Sequence, residues 1–385
     1  NEKVRDRRTV EKKPRFDKNL LAHRTVSAAV VRAEIIFWLQ ERDDRGNCGG
    51  TVISGGALRR SRRPVFPAFS HSIPMSKRMR PHDHAVLIFD GACGTNLQEM
   101  IIPVSAWEGR EGCNELLNLT APDTIVQLHA AFVEAGAMVI ETNTFGANRI
   151  VLEEYGLQDR VAAINRAAVD NARRAIGGKP NIYVAGSVGP GTKLPSLGHV
   201  PVEVLAQAYE EQLRALVEAG VDLVMIETCQ DLLQIKTAVT TCYEILGVLQ
   251  VEIPVMVSVT IERTGTMLVG SDIAAAAVTF EPYPLFSFGL NCATGPQDME
   301  SHIRYLSRNW PGRISCVPNQ GMPEVVNGQT CYPLDPDTYA REMKRFVTEY
   351  GVSVIGGCCG TTAVHTRRLV EELDGVQPAQ REVTR

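Results

Sequence analysis

From Val86 onward, short apolar runs alternate with amphipathic segments of helix length, and this alternation constrains the fold more than any other feature. Eight strand candidates are read at 86–90, 138–143, 182–188, 222–228, 254–260, 285–291, 313–319 and 353–359. Most are rich in Val and Ile, as parallel strands buried on both faces are. Helical patterns lie between most of them, at 123–134, 161–175, 201–218, 231–246, 296–307 and 337–349. Helix starts are marked by Pro122-Asp123 and Pro201-Val202-Glu203. Gly136 and Gly220 stand just past helix ends, where a left-handed residue closes the last turn. The fifth connection is the weakest, since 273–278 allows only a short helix.

Eight strands, each followed by helix or loop, predict an α/β fold, a (β/α)8 TIM barrel over residues 85–375. The alternative is an open doubly wound sheet, but no GxGxxG follows the first strand. Residues 1–84 read differently. They hold 19 Lys+Arg against 9 Asp+Glu, a net +10, whereas the remainder holds 21 against 35, a net −14, giving −4 for the chain. The segment starts with Asn1, carries Arg59-Arg60-Ser61-Arg62-Arg63, and has one short apolar stretch at 28–39. It is expected to be a poorly ordered basic extension or a mis-extended reading frame starting at Met75 or Met79. A tail for an acidic surface and a transit-like segment are the competing readings. Residues 376–385 are expected to be a C-terminal tail.

Composition narrows the function classes. The chain is 44% hydrophobic and 22% charged, which does not fit a disordered or fibrous chain. No apolar run approaches about 18–20 residues, so no membrane span is expected. A net charge of −4 gives no support to nucleic-acid binding. Ten cysteines in 385 residues are too dilute for a disulfide scaffold, and no secretory h-region is seen near the start. A cytoplasmic protein with reduced thiols is expected.

In a barrel of this kind the chemistry sits at the C-terminal ends of the strands. Those ends read Asp90-Gly91-Ala92-Cys93-Gly94-Thr95, Glu141-Thr142-Asn143-Thr144-Phe145, Gly186-Ser187-Val188-Gly189-Pro190 and Glu227-Thr228-Cys229 for the first four strands. The fifth, Val259-Thr260, shows no obvious chemistry. The last three read Gly289-Leu290-Asn291-Cys292, Pro318-Asn319-Gln320-Gly321 and Gly356-Gly357-Cys358-Cys359-Gly360-Thr361-Thr362. Cys292 and the Cys358-Cys359 pair close strands six and eight, which one neighbour separates. Three sulfurs can therefore meet at one rim, as three ligands of a zinc ion with an open fourth position. The competing reading is buried core cysteines. Flanking glycines allow the tight turn that would aim both neighbouring sulfurs at one ion. Zinc with three thiolates carries a net charge of about −1 and suits binding of a soft thiol as its thiolate. That chemistry serves alkyl transfer to sulfur, and no catalytic residue beyond the zinc site is required.

Asp90, Glu141 and Glu227 are placed to hold an ammonium group, and the amides at Gly91 and Ala92 to receive a carboxylate. The alternative for the three acids is that they cap loops. Cys93 and Cys229 are expected to line the pocket. Cys48, Cys113, Cys242, Cys316 and Cys331 show no partner pattern, and His129 and His365 lack metal-ligand spacing.

The motifs at strands one, two, six and eight, in this order, resemble those of the homocysteine S-methyltransferase family. They are most similar to the homocysteine-binding module of the cobalamin-dependent methionine synthases. The resemblance runs from about Val86 to Leu373. It implies a (β/α)8 barrel, zinc held by Cys292, Cys358 and Cys359, homocysteine as methyl acceptor, and contacts to the amino acid from Asp90 and Glu227. Lys193-Leu194-Pro195-Ser196-Leu197-Gly198-His199 looks more like the cobalamin-dependent branch than the betaine-using one. Two departures are Cys93, where a bulkier residue is usual, and Ala363-Val364, where Pro-Glu is usual. Cobalamin-dependent members carry further modules, for which this length leaves no room, so cobalamin as methyl donor is expected on another module or chain. The alternatives are a stand-alone enzyme using betaine or S-methylmethionine, a homocysteine-binding module without a donor site, and a structural zinc protein.

Overall fold

The Val- and Ile-rich runs form eight parallel strands: β1 (Leu87–Ile88), β2 (Val139–Glu141), β3 (Tyr183–Val188), β4 (Leu223–Cys229), β5 (Val255–Val259), β6 (Ser287–Asn291), β7 (Arg313–Val317) and β8 (Val354–Ile355). This computed structural model describes residues 79–326 and 329–384. The readings made on residues 1–78, Cys48 among them, lie outside the described residues. In the sheet the order is β1-β8-β7-β6-β5-β4-β3-β2. A parallel bridge between Phe89 and Val139 joins the two ends. There the Met138 N–H donates to the Ile88 carbonyl at 2.8 Å and the Asp90 N–H to the Val139 carbonyl at 3.0 Å. The eight strands thus form the expected (β/α)8 barrel.

Helices return the chain between strands: α1 (Cys93–Glu99) and α2 (Pro122–Ala135) before β2, then α3 (Val161–Ile176), α4 (Val202–Glu218), α5 (Leu232–Leu249), α6 (Ile273–Phe280), α7 (Pro296–Asn309) and α8 (Pro336–Tyr350). After β8 comes α9 (Ala363–Glu372). Their caps follow from the sequence. The Asp231, Asp272 and Asp335 side chains accept first-turn N–H groups of α5, α6 and α8, satisfying donors that have no intrahelical partner. Gly136 ends α2 at φ 99°, a left-handed conformation that costs a side-chain-bearing residue more. By length and apolar composition α5 is long enough to cross a membrane, but half of it is buried in the packing around the barrel.

Two apolar layers hold the barrel. Outward-facing Val184, Val224, Ile226, Val257, Phe288 and Leu290 pack among helix residues such as Leu213, Leu216 and Ile235. Inside, Leu87, Phe89, Tyr183, Leu223, Met225 and Met256 fill the lower half of the barrel. Each fully buried Leu, Val, Ile, Phe or Met contributes roughly 1.5–3 kcal/mol. The period of two along a strand then decides what lies above this plug. On β4 the inward series Leu223, Met225 continues to Glu227, and on β3 Tyr183, Ala185 continues to Ser187. The polar residues of the mouth stand on an apolar floor.

Three features lie outside the sequence reading. α1 follows β1 directly. A two-stranded antiparallel hairpin, Glu324–Val326 with Gln329–Cys331, follows β7. The third feature is that both chain ends of the described region pack on the barrel. Arg313, which starts β7, donates to the carbonyls of His82 and His84, and the His84 ring bonds the Tyr183 hydroxyl at 2.8 Å. At the other end the Arg381 guanidinium donates to the Trp310 and Gly312 carbonyls at 2.8 and 2.5 Å. The Ala379 N–H donates to the Val347 carbonyl at 2.9 Å.

Candidate metal centre and amino-acid pocket

The end of β6 turns sharply. Cys292 and Ala293 have φ of 60° and 56°, a left-handed pair without a glycine. Such positions cost of order 1–3 kcal/mol each and persist where surrounding structure holds them. Here the Cys292 N–H donates to the Val317 carbonyl at 3.1 Å and the Thr294 N–H to the Cys292 carbonyl at 2.6 Å. The end of β8 is pinned from both sides. The Gly357 N–H donates to the Asp90 carbonyl at 3.1 Å, and the Cys358 N–H to the Pro318 carbonyl at 2.8 Å. The Cys359 N–H donates to Asn319 Oδ1 at 3.1 Å.

These turns bring the three predicted sulfurs together. The Sγ atoms of Cys292, Cys358 and Cys359 all lie within 4.8 Å of one another, and Cys292 and Cys359 are 3.9 Å apart. Tetrahedral zinc with bonds of about 2.3 Å needs sulfurs about 3.8 Å apart, so the trio has the spacing of a zinc site. Among the described residues no other group of three or more His, Cys, Asp or Glu has metal-binding proximity. Within the trio Cys359 is held well below the usual thiol range, because Cys292 and Cys358 both donate to its sulfur. The same pairing, together with burial, pushes Cys358 up. The Tyr332 ring lies against Gly360, where a Cβ would sit 2.4 Å from it; Gly360 is also at φ 82°, so only glycine fits the position. Burial and the neighbouring Cys359 and Cys292 sulfurs raise the Tyr332 phenol.

The three predicted acids gather at the same mouth. Asp90 is buried, and its Oδ2 accepts the Glu141 N–H at 3.1 Å. Glu141 Oε1 is buried without a hydrogen-bond partner. Glu227 receives Ser187 Oγ on Oε1 at 2.5 Å and Asn291 Nδ2 on Oε2 at 3.2 Å, and the Thr228 side chain bonds it as well. Burial pushes all three carboxyls above their ordinary range, and mutual repulsion adds to this at Asp90 and Glu141. For Glu227 the pKa is about 7, from burial and the Cys359 charge, against the opposing bond from Ser187. Two buried acids, Asp90 and Glu227, and the half-buried Glu141 with its orphaned oxygen have no cation beside them among the described residues, so the site lacks positive charge. A ligand ammonium would supply it. Gly91 is buried, and Ala92 precedes the first turn of α1.

The remaining candidates fall outside the sulfur trio. Cys93 begins α1, and burial followed by repulsion from Asp90, Glu115, Glu141 and Glu227 raises its thiol, which places it beside the acids. Cys229 is wholly buried, with Sγ 3.2 Å from the Glu227 carbonyl. Cys113, Cys242 and Cys316 are buried, and Cys331 is exposed. His129 is buried in α2, its pKa lowered to about 4. His365 caps α9 through Thr362 and approaches the Leu334 carbonyl. Sequence reasoning missed Ser187, Asn291, Asn319 and Tyr332. For the first three the available signal was a polar side chain at an inward position of a strand end.

Comparison with known proteins supports the same region. A family model described as homocysteine S-methyltransferase matches residues 87–373. Methionine synthase of Mycobacterium tuberculosis is 43% identical over 303 residues, covering 78% of this chain and 25% of that protein. Methionine synthase of Mycobacterium leprae is 42% identical over 308 residues, covering 78% and 26%. The chain thus spans about a quarter of the length of these curated relatives. Among solved structures, the homocysteine methyltransferase MmuM from Escherichia coli in its oxidized form superposes with a TM-score of 0.60 at 22% identity, covering 75% of this chain and 97% of that one. Its metallated form gives 0.59 at 22% identity, covering 75% and 96%. At this identity the likeness is one of fold.

Proposed function

The chain belongs to the homocysteine S-methyltransferase family, and on that premise we propose that it binds homocysteine and presents its sulfur for methylation to methionine. The observation that carries this is the meeting of three cysteine sulfurs with the carboxyls of Asp90, Glu141 and Glu227 in one barrel mouth. Zinc is the metal the donor set fits, with Cys292, Cys358 and Cys359 as its ligands. When bound, it supplies a coordination position that favours the thiolate of a substrate whose free thiol, with a pKa near about 8.5, is mostly protonated at neutral pH.

The chain's own groups fix the amino-acid end. Asp90, Glu141 and Glu227 hold the ammonium group, whose charge offsets the repulsion among them. The amides at Gly91 and Ala92 receive the carboxylate. Fixing the ammonium and carboxylate leaves the homocysteine side chain to run from the acids toward the sulfurs, which orients the nucleophile before any donor arrives. No side chain is assigned as general base. Cobalamin on another module or chain is the methyl donor of this reading, in keeping with the quarter-length match to two methionine synthases. Residues 85–375 make up the homocysteine-binding barrel; of the basic extension 1–84, His82 and His84 bond its Arg313, and in the C-terminal stretch 376–385 Arg381 bonds it as well. Reduced thiols fit a cytoplasmic setting.

The test is to offer zinc-loaded protein and homocysteine methylcobalamin, S-methylmethionine or betaine, and to measure methionine. Product from methylcobalamin is expected. Product only from an onium donor would overturn the donor assignment, and absence of homocysteine binding would overturn the reading itself.

A further inference from the structure

We propose that Asn291 is a positioning residue that ties the metal-binding end of β6 to the acid on β4, so that the site selects an amino-acid thiol over a plain thiol. This rests on the assignment of Glu227 to the ammonium group. Asn291 immediately precedes Cys292 and is 0% exposed. Its side-chain amide is spent entirely on the end of β4. Nδ2 donates to Glu227 Oε2 at 3.2 Å and to Thr228 Oγ1 at 2.7 Å, and Oδ1 accepts the Thr228 N–H at 2.9 Å. Thr228 itself is left-handed, at φ 56°, and these two bonds hold it there. The Asn291 carbonyl is fixed in turn by Thr260 Oγ1 at 3.0 Å.

The choice of a neutral amide has a consequence. A carboxylate offers about four acceptor positions, and Glu227 receives Ser187 on one oxygen, Asn291 on the other, and the Thr228 side chain as well, all of them neutral donors. These neutral donors orient the group without supplying a counter-charge, so the counter-charge is left to a ligand. A Lys or Arg in place of Asn291 would cancel that charge, and an Asp would repel it. Asn291 directly precedes Cys292 in the chain, so one peptide link couples the proposed metal ligand to the residue that orients Glu227.

The experiment measures binding of homocysteine and of 4-mercaptobutanoate, the same thiol acid without the amine, to zinc-loaded wild type, Asn291→Ala and Asn291→Asp. Zinc content is measured in parallel. Asn291→Asp keeps the side-chain volume and carries the test if the alanine variant does not fold. The expected result is zinc content unchanged, homocysteine affinity lowered roughly tenfold or more, and 4-mercaptobutanoate affinity unmoved. Equal loss of both ligands, or loss of zinc, would make Asn291 merely structural and overturn the proposal, as would a wild-type preference for homocysteine that survives in both variants. A wild type with no preference for homocysteine would overturn the ammonium assignment of Glu227, and the role of Asn291 with it.

Discussion

The sulfurs of Cys292 and Cys359 stand 3.9 Å apart across a separation of 67 residues. No local turn produces that contact. It exists because β6 and β8 flank β7 in a closed barrel and because both strands end in turns that bring their thiols to one side. The meeting of the sulfurs is therefore a property of the closed fold, and loss of the proposed metal can be read separately from loss of the barrel.

Cys358→Ser is expected to reduce zinc from one per chain to near zero, with a loss of metal affinity on the order of 100-fold or more. Homocysteine binding should disappear with it, while the circular dichroism of the barrel is retained. Metal analysis after dialysis checks this. Full zinc content in the variant would remove Cys358 from the ligand set.

Glu227→Gln keeps the shape of the side chain and removes its charge. Homocysteine affinity should fall by about 1.5–3 kcal/mol, the worth of a hydrogen bond to a charged group, with zinc content unchanged. Calorimetric titration reads the loss. An unchanged affinity would exclude Glu227 from the ammonium contact.

The same variant reveals the electrostatic cost of burying the Glu227 carboxylate. Burial raises the Glu227 carboxyl from 4.5 to about 7, so the folded state holds a proton there that the unfolded state has already released. Its contribution to stability is fully present below about pH 4.5 and is lost as pH rises through about 7. The Asp90 and Glu141 carboxyls are raised as well and act in the same direction. Relative to Glu227→Gln, metal-free wild type should therefore lose on the order of 3 kcal/mol between pH 5 and pH 8. Urea denaturation of both proteins across that range measures the difference. A wild type that gains stability relative to the variant over the same range would contradict the raised pKa.

Arg381→Ala removes two bonds to the backbone carbonyls of Trp310 and Gly312. A loss of about 1–3 kcal/mol is expected, since both donors come from a charged group and both acceptors lie near buried structure. Thermal unfolding and hydrogen exchange at residues 379–384 check it, with zinc content unaffected. No change in either would mean that the C-terminal segment is not held by this contact.

The barrel was legible because its signals are repetitive. Val- and Ile-rich runs such as 182–188 and 222–228 recur at similar spacing, with helix caps between them. The sulfur trio was legible because cysteines at two strand ends carry both a chemistry and a location. Asn291 was not, since the asparagine of Asn291-Cys292 looks like any strand-end polar residue until the barrel brings the end of β4, two strands away, within its reach. Tyr332 depends on the loop after the hairpin, which the periodicity does not reveal, although Asn327-Gly328 is a hairpin signal in the sequence. Arg381 bonds only backbone carbonyls, and a partner of that kind leaves no trace in residue type.

X-ray absorption at the zinc edge, before and after homocysteine is added, tests the central claim most directly. The account predicts three sulfur neighbours at about 2.3 Å that become four when homocysteine binds. Fewer than three sulfurs in the free protein, or a coordination shell that homocysteine leaves unchanged, would contradict it.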